Sequence, residues 1–290
     1  MITAPIAKVS VPGTCIKILG NLYLRTTALR CIAAIFKNFF FLQYKAAFFS
    51  SGIPVSKVDH LLDRKIPFLP GKVNIYLDFI AFWVRSLGFL LKNCGRKAFP
   101  PVRNFLETMG ALYAYAAEVY SKNMSTTDRP FYIARPRFLL IHAVDPHLMC
   151  IPSLHVMVVI RTYSVFREML KILGEEEKFA SQAEELRLGA LAITEAVLYV
   201  KQHSVNCISA AMYAMTSFDP RLFPQEEAER FTSEIFRNAK APAGKDSDNI
   251  RDHILSLYNK FRAEGEAAVH GGRNWNEPLL EFLKNQEQVR

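Results

Sequence analysis

Two histidines of this chain sit in short polar contexts within apolar surroundings: Ile151-Pro152-Ser153-Leu154-His155, and Tyr199-Val200-Lys201-Gln202-His203-Ser204-Val205-Asn206-Cys207. Upstream, Lys122 and Arg129 bracket a short polar stretch that ends in Asp128, and Pro130 follows. Fixed cations for non-bridging oxygens, one imidazole as nucleophile and another as proton donor are the groups phosphoryl transfer needs. Each also has an ordinary reading. A histidine in an apolar segment is commonly a hydrogen-bonded core residue, and Asp128 is placed to neutralise Arg129.

The local setting favours chemistry. Proline suits the first turn of a helix, where its missing N–H has no partner to lose, and Val156 to Ile160 continue such a helix. His155 then falls in the first turn, where free N–H groups and the dipole favour an anion beside it and Ser153. His203 and Cys207 are four residues apart, which on a helix stacks them on one face. His142 and His147 flank Asp145, and this spacing reads as a solvated loop rather than a metal site.

Together the three motifs resemble the vanadium-haloperoxidase and type 2 phosphatidic acid phosphatase superfamily, with its Lys-x6-Arg-Pro, Pro-Ser-x-His and Ser-Arg-x5-His-x3-Asp pattern. The resemblance implies that Lys122 and Arg129 bind phosphate, that His203 attacks phosphorus to give a phosphohistidine, and that His155 protonates the leaving alkoxide. It implies no metal and no cofactor. The third motif is degenerate. The Ser-Arg pair falls on Ala196-Val197, and Cys207 stands where the family has the aspartate that orients the nucleophile. Lys201 is a candidate substitute cation, two residues from His203 and so on another helical face. Pro-Ser-Leu-His and Lys-Gln-His read closer to the branch containing inositol-phosphorylceramide and sphingomyelin synthases. A thiol, with an ordinary pKa of about 8.5, does not stabilise an imidazolium as a carboxylate does. Glu195 and Asp219 are the acids near in sequence, and Glu195 lies two turns back and about 80° off the face of His203.

The elements that must position these residues read as helices, with apolar positions recurring at three and four and little strict alternation. The expectation is an all-α, membrane-associated bundle in three regions: a basic, aromatic-rich stretch over 1–104, a phosphatase-like core over 105–218 and a soluble helical tail over 219–290. Half of the 290 residues are hydrophobic and the net charge is +9. The first fifty residues carry Lys8, Lys17, Arg25, Arg30, Lys37 and Lys45 and no acid. A phenylalanine-rich helix from Asn21 to Phe49 at a lipid interface, its cations snorkelling, follows from that pattern. The nearest approach to a membrane span is Ile75 to Leu91, interrupted by Asp78 and Arg85.

In the tail, Ile250, Ile254, Leu257, Tyr258 and Phe261 form one helical stripe, after a linker over 241–249. Gly174 to Glu177 and Ala183 to Glu185 read as an acidic, solvated connection between the histidine motifs. The five cysteines are scattered, odd in number and without a CxxC, so they read as free thiols. No basic stretch interleaved with aromatics forms a nucleic-acid module. The expected partners are a phosphorylated lipid and a membrane surface, and the expected location is the membrane. The expected activity is a lipid-phosphate phosphohydrolase. A head-group phosphotransferase, or a catalytically degenerate binding or scaffold protein, is the alternative.

Overall fold

The structure, a computed structural model, describes residues 4–49 and 52–289. Side-chain caps start the first two helices. Ser10 Oγ accepts from Gly13 N–H at the head of α1 (Val11–Gly20), and Asn21 Oδ1 accepts from Tyr23 and Leu24 at the head of α2 (Leu22–Ile35). With no glycine or proline in the way, α2 runs on through a π-helical stretch, Phe36–Phe41, into α3 (Leu42–Phe48).

Next come β1 (Val55–Lys57), α4 (Val73–Tyr76), α5 (Phe79–Asn93), α6 (Phe99–Tyr120), β2 (Met124–Thr126), α7 (Pro136–Val144), α8 (Leu154–Leu173), α9 (Ala180–Tyr199) and α10 (Val205–Phe218). The chain closes with α11 (Gln225–Glu234), α12 (Lys245–His270), α13 (Glu277–Lys284) and β3 (Glu287–Gln288). Prolines open α6 and α7, where their missing N–H is harmless. Gly174, at φ 66°, ends α8 in the left-handed turn that lets Glu175 N–H reach the Leu170 carbonyl.

The centre of the molecule is α8, buried on every side from Val156 to Phe166 and packed by α5, α6, α9 and α10. That buried stretch holds one charge. Arg161 pairs with Asp219 at 2.6 Å and lies over the Phe218 ring. The apolar stripe of α12 packs on α10, so the tail joins the same core.

The fold is mostly helical, and it departs from the all-α expectation in a small three-stranded sheet of order β2-β1-β3. β1 runs parallel to β2, with Val55 opposite Met124, and antiparallel to β3, with Ser56 opposite Gln288. Strands this short show no alternation in sequence. Two boundaries also move: Ala183 to Glu185 lie within α9, and α12 begins at Lys245, inside the expected linker. Glu185 is not simply solvated, because its carboxylate accepts from the N–H groups of Ile6 and Ala7.

Among the described residues, Pro70–Asn93 is the one helical stretch long and apolar enough to cross a membrane, and half of its apolar window is buried inside the protein. Asp78 and Arg85 do meet there, in a two-pronged ion pair.

Candidate functional site

Ser125, inside the first motif, ties that motif to the second. Its N–H donates to the Leu148 carbonyl, its carbonyl accepts from Cys150 N–H, and its hydroxyl accepts from Ile151 N–H at 2.7 Å. β2 therefore holds the segment entering α8. Tyr120, ending α6, donates its hydroxyl to the Pro152 carbonyl.

Arg129 joins the first motif to the third and to the loop before the second. Its guanidinium donates to the Asp145 carbonyl at 2.9 Å and to Gln202 Oε1 at 3.3 Å, beside His203. Asp128 does not neutralise it, because that carboxylate pairs with Lys57 at 2.8 Å.

Ser153 is the N-cap of α8, Pro152 precedes it, and His155 lies in the first turn. α10 begins at Val205 with Ser204 as its N-cap, so His203 stands in the turn before the helix rather than on the same helical face as Cys207. Two helix N-termini thus bring the rings together, with His203 Nε2 3.3 Å from His155 Nδ1. The His155 ring packs between Tyr76 and Phe79, at centroid distances of 4.6 and 4.3 Å. Burial, then the neighbouring His203, hold the His155 pKa well below its ordinary value. His155 is therefore neutral near pH 7.

A cavity of about 20 Å³, room for about one water molecule, is lined by both histidines, Cys150, Met149, Leu154, His147, Asp145, Phe39 and Gln43. Three of its features were not read from sequence. His147 is buried, not in a solvated loop. Its backbone takes a left-handed φ of 61°, held by its N–H donating to Asp145 Oδ1, and its Nε2 pairs with Thr127 Oγ1 at 2.8 Å. Cys150 Sγ lies 3.7 Å from the same Nε2. Phe39 and Gln43, from the π-helical stretch and α3, form the roof.

Cys150 and Cys207 titrate as neighbours. Burial raises the Cys150 thiol, but hydrogen bonding with Cys207, the charge of His147 and contacts with His147 and His203 outweigh it and bring it well below the ordinary thiol value. Burial and Cys150 push Cys207 up, so Cys207 is the protonated partner. Burial alone would lower the His147 pKa, yet Cys150 and Asp145 raise it.

The remaining expected residues divide. Ser153 Oγ is buried at the N-terminus of α8 with no hydrogen-bond partner, as is His203 Nδ1. Cys207 Sγ accepts from Ser204 N–H and does not serve Nδ1. Lys201 turns its ammonium onto the carbonyls of Asp63 and Ile66. Lys122 is exposed past the end of α6 and does not line the cavity. Neither nearby acid orients His203, since Asp219 holds Arg161 and Glu195 accepts from Phe236 N–H.

Compared with family models, with curated proteins and with solved structures, the chain matches none.

Proposed function

We propose that this protein acts at a membrane surface on the phosphate of a lipid head group, as a slow phosphohydrolase working through a phosphohistidine. The approach of His155 and His203 to 3.3 Å, with Arg129 anchored beside them, is the observation that supports it most. In the reaction, His203 Nε2 attacks phosphorus, the phosphorus–oxygen ester bond breaks, and His155, in the small fraction that carries a second proton because burial holds its pKa low, delivers that proton to the leaving alkoxide. Water then displaces the phosphoryl group from His203, or a lipid alcohol takes it. Arg129 and the unpaired Ser153 hydroxyl, at the positive end of α8, are the groups to receive phosphate oxygens.

The resting arrangement accounts for slowness. His203 Nε2 is occupied by His155, the cavity is too small for a phosphate until Phe39 and Gln43 shift, and Nδ1 has no carboxylate to hold the imidazolium. The membrane reading draws on the outer surface. Phe36, Phe41, Phe48 and Phe49 are more than half exposed, in a stretch whose charges are all positive. Tyr44 donates to the Val144 carbonyl, joining this layer to the exposed Leu139 and Leu140 of α7. Cations beside exposed aromatics suit an anionic bilayer.

The test is phosphate release from phosphatidic acid in mixed micelles. Wild type should be slow, His203→Ala inactive and Cys207→Asp faster, since losing an orienting aspartate in a catalytic triad costs on the order of 10⁴ in rate. An acid-labile, alkali-stable phosphoryl label on His203 would identify the intermediate. A second reading, a lipid-phosphate-binding protein without turnover, is favoured by the unpartnered Nδ1. It is distinguished by Arg129-dependent binding to phosphatidic acid vesicles when neither wild type nor Cys207→Asp releases phosphate.

A further inference from the structure

We propose that Cys150 and Cys207 form a peroxide-reactive thiol pair, in which Cys150 is the attacking sulfur and Cys207 resolves it to an intramolecular disulfide. The pair is distant in sequence and brought together by the fold. Cys150 sits three residues before the N-cap of α8, fixed there by its own N–H on the Ser125 carbonyl. Cys207 sits in the first turn of α10, and the two thiols are within hydrogen-bonding reach of each other.

Three observations separate these sulfurs from ordinary buried cysteines. Cys150 lies 3.7 Å from an imidazole nitrogen of His147, whose left-handed backbone is held in place by Asp145 and whose other contact is Thr127. An adjacent imidazolium favours the thiolate, which is the reactive form. The positive ends of two helices converge on the pair, which favours an anionic sulfur further. Cys150 also lines the small histidine cavity, whose wall residues Asp145 and His155 keep partial contact with solvent.

The chemistry balances with hydrogen peroxide as oxidant. The Cys150 thiolate attacks one peroxide oxygen, the O–O bond breaks, and the departing hydroxide takes a proton from the His147 imidazolium to leave as water. The resulting sulfenic acid on Cys150 is attacked by Cys207. A sulfur–sulfur bond forms, the sulfenic hydroxyl leaves, and the Cys207 proton goes with it as a second water. Two electrons pass from two thiols to one peroxide. The cavity admits a molecule near the size of water and excludes a bulky one, so hydrogen peroxide should react where oxidised glutathione does not.

Cys31 supplies an internal control. It is buried among apolar neighbours, and burial pushes its pKa up to about 11.

The experiment uses the full-length wild-type protein near neutral pH, treated with hydrogen peroxide or oxidised glutathione, then denatured, alkylated, digested with trypsin and weighed. After peroxide, peptides 138–161 and 202–221 should appear joined and two hydrogens lighter than their sum. Glutathione disulfide should leave both free. In Cys207→Ser, peroxide treatment followed by unfolding in the presence of dimedone should label Cys150 as the sulfenic acid at least about tenfold more than Cys31, the ratio that thiolate character sets. Recovery of Cys150 and Cys207 as free thiols after peroxide has oxidised the exposed Cys15 would overturn the proposal. So would conversion of Cys150 to sulfinic acid in wild type with no linked peptide. The readout is a mass, so it stands or fails apart from phosphatase activity.

Discussion

The layer formed by residues 11–48 and the centre formed by α8 and α10 are built from the same kinds of residue, yet they place them oppositely. Both are helical and rich in aromatic or aliphatic side chains. From Val156 to Phe166 of α8 those side chains are inside on every face, as with Phe166, which is fully buried, whereas Phe41 of the outer layer is 64% exposed. Charges follow the same division. The outer layer holds only cations, exposed or half-exposed, while α8 buries Arg161 and neutralises it with Asp219 at 2.6 Å. An apolar face inside supplies folding energy, and an apolar face outside leaves its energy to be realised on another surface.

The comparison breaks if phenylalanine is worth the same in both places. Phe166→Ala should lose about 3–5 kcal/mol of unfolding free energy, as truncating a large aromatic in a packed core does. Phe41→Ala should stay within about 0.5 kcal/mol. Chemical denaturation of both variants in the same buffer measures it, and equal midpoints would mean that the outer layer is packed against something in the folded state.

A smaller effect is expected from the cations of the layer. Replacing Lys37 and Lys45 by glutamine should weaken sedimentation with phosphatidylserine-containing vesicles by about 1 kcal/mol per lysine, roughly thirtyfold for the pair. Binding to neutral vesicles and the thermal midpoint should change little. Equal losses on neutral and anionic vesicles would assign attachment to the phenylalanines alone.

Helix positions are largely legible in this sequence because caps and prolines mark them: Asn21, the prolines opening α6 and α7, and Gly174 each act locally. The meeting of His155 and His203 is legible only on one side: Pro152 and Ser153 announce the start of α8, but the other motif reads as one helix carrying His203 and Cys207, whereas α10 begins after Ser204 and leaves His203 in the turn. The sheet is not, because Met124–Thr126 is too short to show alternation and its strand partner β1 lies about 70 residues away. For the same reason Ser125 passes as a polar spacer in a phosphate motif, although it pins the entry to α8. His147 and Cys150 are invisible for another reason. A histidine after Asp-Pro reads as surface turn, and only the fold shows that Asp145 takes its N–H and that Thr127 and the Cys150 thiol flank its ring. Lys201 fails in the opposite sense: its charge suggested a ligand cation, but its backbone, at φ 56°, turns the ammonium onto Asp63 and Ile66.

The smallest expected effect lies between the two regions, on the tail that closes the core. His253 of α12 stacks on His60 at 3.9 Å and 13°, with Nε2 paired to Asn206 Oδ1 at 2.8 Å. Burial, then the neighbouring His60, push the His253 pKa down to about 4. The unfolded histidine titrates near 6.5, so as pH falls the unfolded chain takes up this proton first. Stability that is complete above about 6.5 is therefore lost progressively down to about 4. His155, also depressed, acts in the same direction. His147, raised by its thiolate neighbour, acts in the other, contributing most on the acid side and losing that contribution as pH rises through its folded value. The thermal midpoint of wild type should thus fall between pH 7 and pH 4.5, and His253→Gln, which keeps a donor for Asn206 but carries no titrating group, should make that fall shallower. Identical slopes in the two proteins would place the acid sensitivity with the central histidines and leave α12 out of it.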